Sequence, residues 1–260
     1  GNPTVETAVI LDDGSLGVAS VPSGASTGTY EAVELRDGNN MRHHGRGVLQ
    51  ACSNIENRIK PALSGKNPQL QNELDNLMIS LDESSDKHNL GANSILSVSL
   101  ALVRAAAKSE GLPLYRYLMQ LTGVKKITNT TPLFNVINGG LHGSGKLSIQ
   151  EFIIIPDTKF SLYEGLMIGS RIYQSLKNTL KLKNLISSVG DEGGFTPQLS
   201  SNSEALELLT QVIGNDGYRY AEDIYLGLDF ASSVYYHDNL YKPESSQESM
   251  DKTKYLDYLI

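Results

Sequence analysis

Ser187-Ser188-Val189-Gly190-Asp191-Glu192-Gly193-Gly194-Phe195 is the stretch whose reading decides the fold. The apolar run from Leu185 to Val189 reads as a buried strand. It ends in two adjacent carboxylates among glycines, which let backbone approach a ligand closely. Taken alone, a surface turn with solvated acids explains the stretch equally well. Two further segments shift the balance. Ile149-Gln150-Glu151-Phe152-Ile153-Ile154-Ile155-Pro156 sets Gln150 and Glu151 against an apolar strand, and Ile224-Tyr225-Leu226-Gly227-Leu228-Asp229-Phe230 carries Asp229 in another. Acids on three successive strands separated by helical stretches are what a parallel β/α barrel uses to gather a metal and acid/base groups at one mouth.

The rest of the chain fits this frame. At 260 residues it is long enough to bury a sizeable core, and two domains are expected. With 29 acidic against 22 basic residues the net charge is −7, so no nucleic-acid partner and no anionic membrane surface is expected. No apolar run is long enough to span a bilayer and no signal peptide opens the chain, which makes a cytoplasmic protein the expectation. Cys52 is the only cysteine, so an intrachain disulfide is excluded and a small buried apolar role is expected.

The segments Thr4–Leu11 and Leu16–Val21 flank Asp12-Asp13-Gly14-Ser15 and read as a hairpin. Pro22 to Gly28 is a Ser/Gly loop, ordinary in composition, whose alternative use is a lid presenting hydroxyls and N–H groups to an anion. Apolar periodicity predicts helices over Gly47–Leu63, Leu70–Leu81 and Gly91–Ala107, the last capped by Asn89, and a short one over Leu114–Leu121. This α+β domain closes near Gly123, and Lys125 to Thr131 reads as the linker. Beyond it, strands are predicted over Leu133–Ile137, Ile149–Ile155, Leu185–Val189 and Ile224–Phe230, with helices over Tyr163–Leu182 and Ser203–Ile213. Lys242 to Lys254 reads as exposed, and Tyr255 to Ile260 begins something apolar.

Several apparent motifs carry less. Gly143-Ser144-Gly145-Lys146 lacks the upstream glycine spacing and the following Ser/Thr of a P-loop. His43-His44 sits in a polar stretch and reads as solvated. His142 lies among glycines between two strands, within reach of a ligand, although a lone histidine is more often structural. Glu151, Glu192 and Asp229 weigh more together. Crowded carboxylates raise a pKa unless a cation is present, and oxygen ligands without a cysteine cluster point to Mg²⁺. A carboxylate without a metal role is then free to serve as general acid or base.

Gly1-Asn2-Pro3-Thr4-Val5-Glu6, Pro22 to Gly28, Leu90 to Leu96, Asn138-Gly139-Gly140, Gln150-Glu151-Phe152, Gly190 to Gly194 and Gly227 to Ser233 occur in order along the chain. With these the sequence resembles the enolase family over essentially its whole length. The resemblance implies an α/β fold: an N-terminal α+β capping domain, residues 1–123, followed over 130–260 by the first half of an enolase-type β/α barrel whose first two strands are antiparallel. It implies reversible dehydration of 2-phosphoglycerate to phosphoenolpyruvate with two Mg²⁺, and a homodimer. Glu192 matches the family's general acid and Glu151 its carboxylate partner. His142, Gln150 and Glu151 match substrate-binding positions, Asp229 a ligand of the tightly bound Mg²⁺, and Ser26 the lid serine on the second. The remaining metal carboxylates, the proton-abstracting lysine and the phosphate-binding residues are implied to lie after Ile260. No lysine of the chain takes the base role, so these 260 residues alone are expected to be inactive, with Ile153, Ile155 and Leu228 lacking partners. Two other functions stay open: another superfamily lyase on a different carboxylate substrate, and a non-enzymatic surface-binding role.

Overall fold

The structure is a computed structural model that describes residues 1–24, 26–143, 146–185, 188–243 and 248–259. The chain divides into two compact units, Gly1–Ile127 and Thr128–Ile260.

In the first unit β1 (Glu6–Ile10) and β2 (Leu16–Ser20) pair antiparallel, with Glu6 opposite Ser20 and Ile10 opposite Leu16, as the hairpin pattern predicts. The Gly47–Leu63 helix forms with an irregularity: α1 (Leu49–Asn54) continues through a π-helical turn, Ile55–Ile59, into α2 (Lys60–Leu63). Next come α3 (Gln71–Asp82), α4 (Ala92–Ser109) and α5 (Leu114–Thr122). α4 is the centre of the unit. Small residues on it, including Ala101 and Ala105, are fully buried and let the helix lie directly on the hairpin. Its buried Ser97 hydroxyl meets that of Thr7 on β1 at 2.8 Å, so the polar atoms at this contact satisfy each other.

Two expectations change here. Asn89 does not cap α4. The cap position is Gly91, and Asn89 Nδ2 donates instead to the carbonyl of Asp82 at 2.7 Å. The Asp82 carboxylate, itself buried, accepts from the Leu90 and Ser84 amides, so the loop before α4 closes on a carboxylate. Its internal bonds outweigh burial and hold the Asp82 pKa below the ordinary value. Cys52 is half-buried rather than buried, at the edge of the cluster formed by Val5, Val48 and Ala51.

In the second unit β3 (Phe134–Asn138), β4 (Glu151–Pro156) and β5 (Ile224–Asp229) form a sheet in the order β3-β4-β5. α6 (Leu162–Leu182) and α7 (Asn202–Asn215) cover one face. On β4 the alternation is regular: Phe152 and Ile154 are fully buried against these helices, and Glu151, Ile153 and Ile155 on the opposite face are half-buried. Ser161 begins α6 with a reciprocal capping box, its side chain accepting from the Glu164 amide while the Glu164 carboxylate accepts from the Ser161 amide. Leu228 falls opposite Phe152 and so packs against the covered face, contrary to its expected lack of partners. The far edge of β5 has no strand partner among the described residues, so these strands do not close into a barrel.

The run Leu185–Val189 is not the predicted buried strand. Ile186 and Ser187 lie outside the described residues, and Val189 is 54% exposed and makes only an isolated antiparallel bridge with Phe195. The glycines that follow turn the chain back before a strand develops. A β6–β7 hairpin (Tyr236–His237, Leu240–Tyr241) and α8 (Lys252–Leu259) end the unit. They are joined by stacked tyrosines, with the Tyr241 and Tyr255 ring centroids 4.0 Å apart. In the stretch Lys242 to Lys254, Lys242, Glu248, Ser249 and Asp251 to Lys254 are exposed as expected, the last three opening α8, and Pro243 is buried; Glu244 to Gln247 lie outside the described residues.

The close approach of α4 to β2 generates a test. A Cβ at Gly17 would overlap the backbone oxygen of Ala101 and nitrogen of Ala105, neither of which has a rotamer to escape into. Gly17→Ala is expected to cost about 1–3 kcal/mol, the usual range for overpacking. Urea unfolding with an unchanged midpoint would contradict this packing.

Candidate functional site

Direction of β4 decides what meets what. Among its described residues the connection from β3 holds a short 3₁₀ turn, Gly140–His142, and β4 returns antiparallel; β5 then pairs antiparallel on its other edge. The first residue of β4 thus stands level with the last residues of both neighbours. Asn138, Glu151 and Asp229 occupy one row across the sheet. Directly opposite residues share a face, so all three side chains issue from the same side. The gathering of carboxylates at the ends of parallel strands, expected from spacing, is corrected in this respect, while the antiparallel first two strands implied by the resemblance are found: Glu151 opens its strand, and antiparallel pairing brings it beside Asp229.

Glu192 reaches this row from the turn after Val189. The turn is closed by the Gly190 amide donating to Gly194 O at 2.8 Å and the Gly193 amide donating to Gly190 O at 3.0 Å. Phe195 then locks it to β3, its N–H donating to Val136 O and its carbonyl accepting from the Asn138 N–H, in a parallel bridge with Ile137. No side chain fits at position 194, where a Cβ would overlap Asn138 Oδ1. Tyr173 on α6 fixes the turn from behind. Its hydroxyl donates to Gly193 O at 2.9 Å and its ring stacks on Phe195 with centroids 4.5 Å apart.

Glu192 and Glu151 share a hydrogen bond, and that bond is the main reason the Glu151 carboxyl is pushed up from 4.5 to about 7. Partial burial adds to the shift, and the charges of Glu192 and Asp229 raise it further. Glu151 therefore keeps its proton closer to neutrality than an isolated carboxylate would. His142 lines the other side of Glu192, with Nε2 3.6 Å from Oε1, and its side chain is only 6% exposed. Gln150 donates its backbone N–H to Asp229 O at 2.9 Å, and its side-chain amide approaches Asp229 Oδ2 at 3.5 Å. Asp229 Oδ1 accepts from the Ala231 amide at 3.1 Å. Asn138 Nδ2, buried at the inner end of the row, has no hydrogen-bond partner among the described residues.

Of the residues singled out in the sequence, Glu151, Glu192, His142, Gln150 and Asp229 thus come together in the second unit. Ser26 belongs to the first unit, where it is half-buried beside Ala25, which lies outside the described residues. His43 and His44 are exposed. Tyr173 and Asn138 were not singled out for a role; a helical tyrosine gives no periodic sign that its hydroxyl reaches a distant turn.

Two family models match the chain: the enolase N-terminal domain over residues 1–118, and the enolase C-terminal TIM barrel domain over residues 126–259. The chain belongs to the enolase family. Its two units are accordingly a capping domain and a part of the barrel domain, and the carboxylate row lies in the latter. Membership of the enolase family makes a lyase acting on a small molecule the general class of function. No helix among the described residues is long and apolar enough to cross a membrane.

The carboxyl pair predicts a pH dependence of stability. A group whose pKa is raised on folding contributes stability that is complete below its unfolded value and lost as pH rises through the folded value. For Glu151 the window runs from about 4.5 to about 7. Across it, wild-type stability is expected to fall relative to Glu151→Gln, whose amide cannot titrate. Urea unfolding of both proteins through this window checks the sign; parallel curves would contradict the shared proton.

Proposed function

We propose that this enolase-family chain takes part in the reversible dehydration of 2-phosphoglycerate to phosphoenolpyruvate, with Glu192 as general acid and Glu151 as its proton-sharing partner. The observation that supports this most is the Glu151–Glu192 hydrogen bond with a carboxyl held near neutrality. Loss of hydroxide from carbon 3 requires a proton, and an ordinary carboxylic acid has already lost its own at pH 7. A pair that keeps one proton supplies it at that pH: Glu192 gives the proton to the departing hydroxyl, water leaves, and the pair is left with both carboxylates ionised. His142, facing Glu192, and Gln150, beside Asp229, are the proposed substrate contacts. The abstraction of the carbon 2 proton is assigned to no residue of this chain.

Two Mg²⁺ ions are proposed from the family resemblance, where they absorb the negative charge that develops on the substrate carboxylate. Asp229 offers the hard oxygen donor that Mg²⁺ prefers, at the exposed end of β5. The fit goes no further: among the described residues no group of three or more His, Cys, Asp or Glu is arranged to hold an ion. The assignment of Ser26 to the second Mg²⁺ rests on the resemblance alone, as do the homodimer and the cytoplasmic location.

The assay is formation of phosphoenolpyruvate from 2-phosphoglycerate with Mg²⁺ by the protein expressed from its natural gene. Glu192→Gln preserves size but has no acidic proton, so turnover is expected to fall by roughly two to four orders of magnitude, the range of general acid catalysis. Near-normal turnover in that variant would remove the acid assignment. Wild-type turnover of another carboxylate in place of 2-phosphoglycerate would favour a different superfamily lyase.

A further inference from the structure

The segment that delivers Gln150 and Glu151 to the site is buried before it becomes a strand. Leu147, Ser148 and Ile149 are 2%, 7% and 3% exposed, so each of their backbone polar groups needs a partner inside the protein. Backbone serves the Leu147 carbonyl, which accepts from Gly140, and both groups of the next residue, Gln150, whose O accepts from Gly139 and whose N donates to Asp229 O. The Ser148 and Ile149 amides instead meet a side chain. Both donate to Asn202 Oδ1, at 3.1 and 3.4 Å. Asn202 Nδ2 donates to Ser148 Oγ at 2.8 Å and to the Tyr258 hydroxyl on α8 at 2.9 Å. The carboxamide is itself buried, 4% exposed, at the first residue of α7, just after the Ser201 cap that accepts from the Glu204 amide. One side chain on a well-anchored helix start therefore makes three hydrogen bonds to the two residues immediately before Gln150.

We propose that Asn202 is a positioning residue: its buried carboxamide holds the backbone of Ser148 and Ile149, and through it sets where Gln150 and Glu151 enter the site. Asn202 touches none of the proposed reacting groups and acts only through this segment. The functional half of the inference rests on the dehydratase reading; the positional half does not. Displacement of a reacting group by about 1 Å costs on the order of a hundredfold in rate, so release of the segment is expected to reach the chemistry.

Three substitutions separate positioning from bulk packing. Asn202→Leu keeps the volume and removes every hydrogen bond. Asn202→Asp keeps the acceptor for both amides, and the Ser148 and Tyr258 hydroxyls can rotate to donate to it. Asn202→Gln keeps the chemistry but moves the carboxamide by one methylene. In hydrogen–deuterium exchange read by mass spectrometry, peptides covering Leu147–Phe152 are expected to exchange at least about tenfold faster in the Leu variant than in wild type, while α6 peptides stay unchanged. The Asp variant is expected to stay within about threefold. Turnover of 2-phosphoglycerate by the natural protein is expected to fall about a hundredfold in the Leu variant and to be largely restored in the Asp variant. If the Leu variant does not fold, the Gln variant carries the same comparison. Unchanged exchange at Leu147–Phe152 in the Leu or Gln variant, or an Asp variant as impaired as Leu, overturns the proposal. Faster local exchange in a protein whose wild type does not turn over 2-phosphoglycerate supports the positional role of Asn202 and counts against the dehydratase reading instead.

Discussion

The second unit depends on the direction of one strand. Because β4 runs opposite to both β3 and β5, its first residue lies level with the last residue of each, and Asn138, Glu151 and Asp229 form a single row. A β4 parallel to its neighbours would put Glu151 at the far end of the sheet from Asp229. The twelve residues between β3 and β4 hold a short 3₁₀ turn and, among those described, no crossover helix of the kind that usually carries a parallel return. Everything attached to the row follows: the Glu192 turn is bonded to β3 through Phe195, His142 sits in the β3–β4 loop, and Gln150 adjoins Asp229.

The site gathers negative charge and resolves the conflict locally. Glu192 and Asp229 both act on Glu151 in a partly desolvated setting, where repulsion is stronger than in water. Retaining a proton between two carboxyls relieves part of it. The same device turns an ordinary acid into one that still holds its proton near neutrality. Around the pair the backbone is constrained by atoms that carry no charge: the Tyr173 hydroxyl on Gly193 O, the Asn202 carboxamide on Ser148 and Ile149, and the glycine at 194 packed against Asn138. Such a shell fixes geometry without adding to the electrostatic load.

Much of this was legible in the sequence, for physical reasons that also explain the gaps. Helices α3, α4, α6 and α7 bury one face or most of their surface, and a 3.6-residue period records that directly. The hairpin of β1 and β2 announces itself by alternation around Asp12-Asp13-Gly14-Ser15. The acidic segments were visible because acids beside apolar runs are costly. Strand direction leaves no mark on periodicity, so the antiparallel placement of Glu151 was out of reach from spacing alone. Leu185–Val189 misled because a short apolar run looks the same whether it enters a sheet or turns back at glycines. Asn202 and Tyr173 are single polar residues on helices, and their partners are distant in sequence, 54 residues away for Ser148 and 20 for Gly193. No local pattern encodes such contacts.

The central claim is that Glu151 and Glu192 meet and share a proton. It is tested most directly by following the side-chain carboxyl resonance of Glu151 through a pH titration by carbon-13 NMR, in wild type and in Glu192→Gln. The account predicts a wild-type midpoint near the value of about 7 that the contact produces, and a lower midpoint when the carboxyl at position 192 is replaced by an amide. A wild-type midpoint at the ordinary 4.5, indifferent to the substitution, would contradict the account.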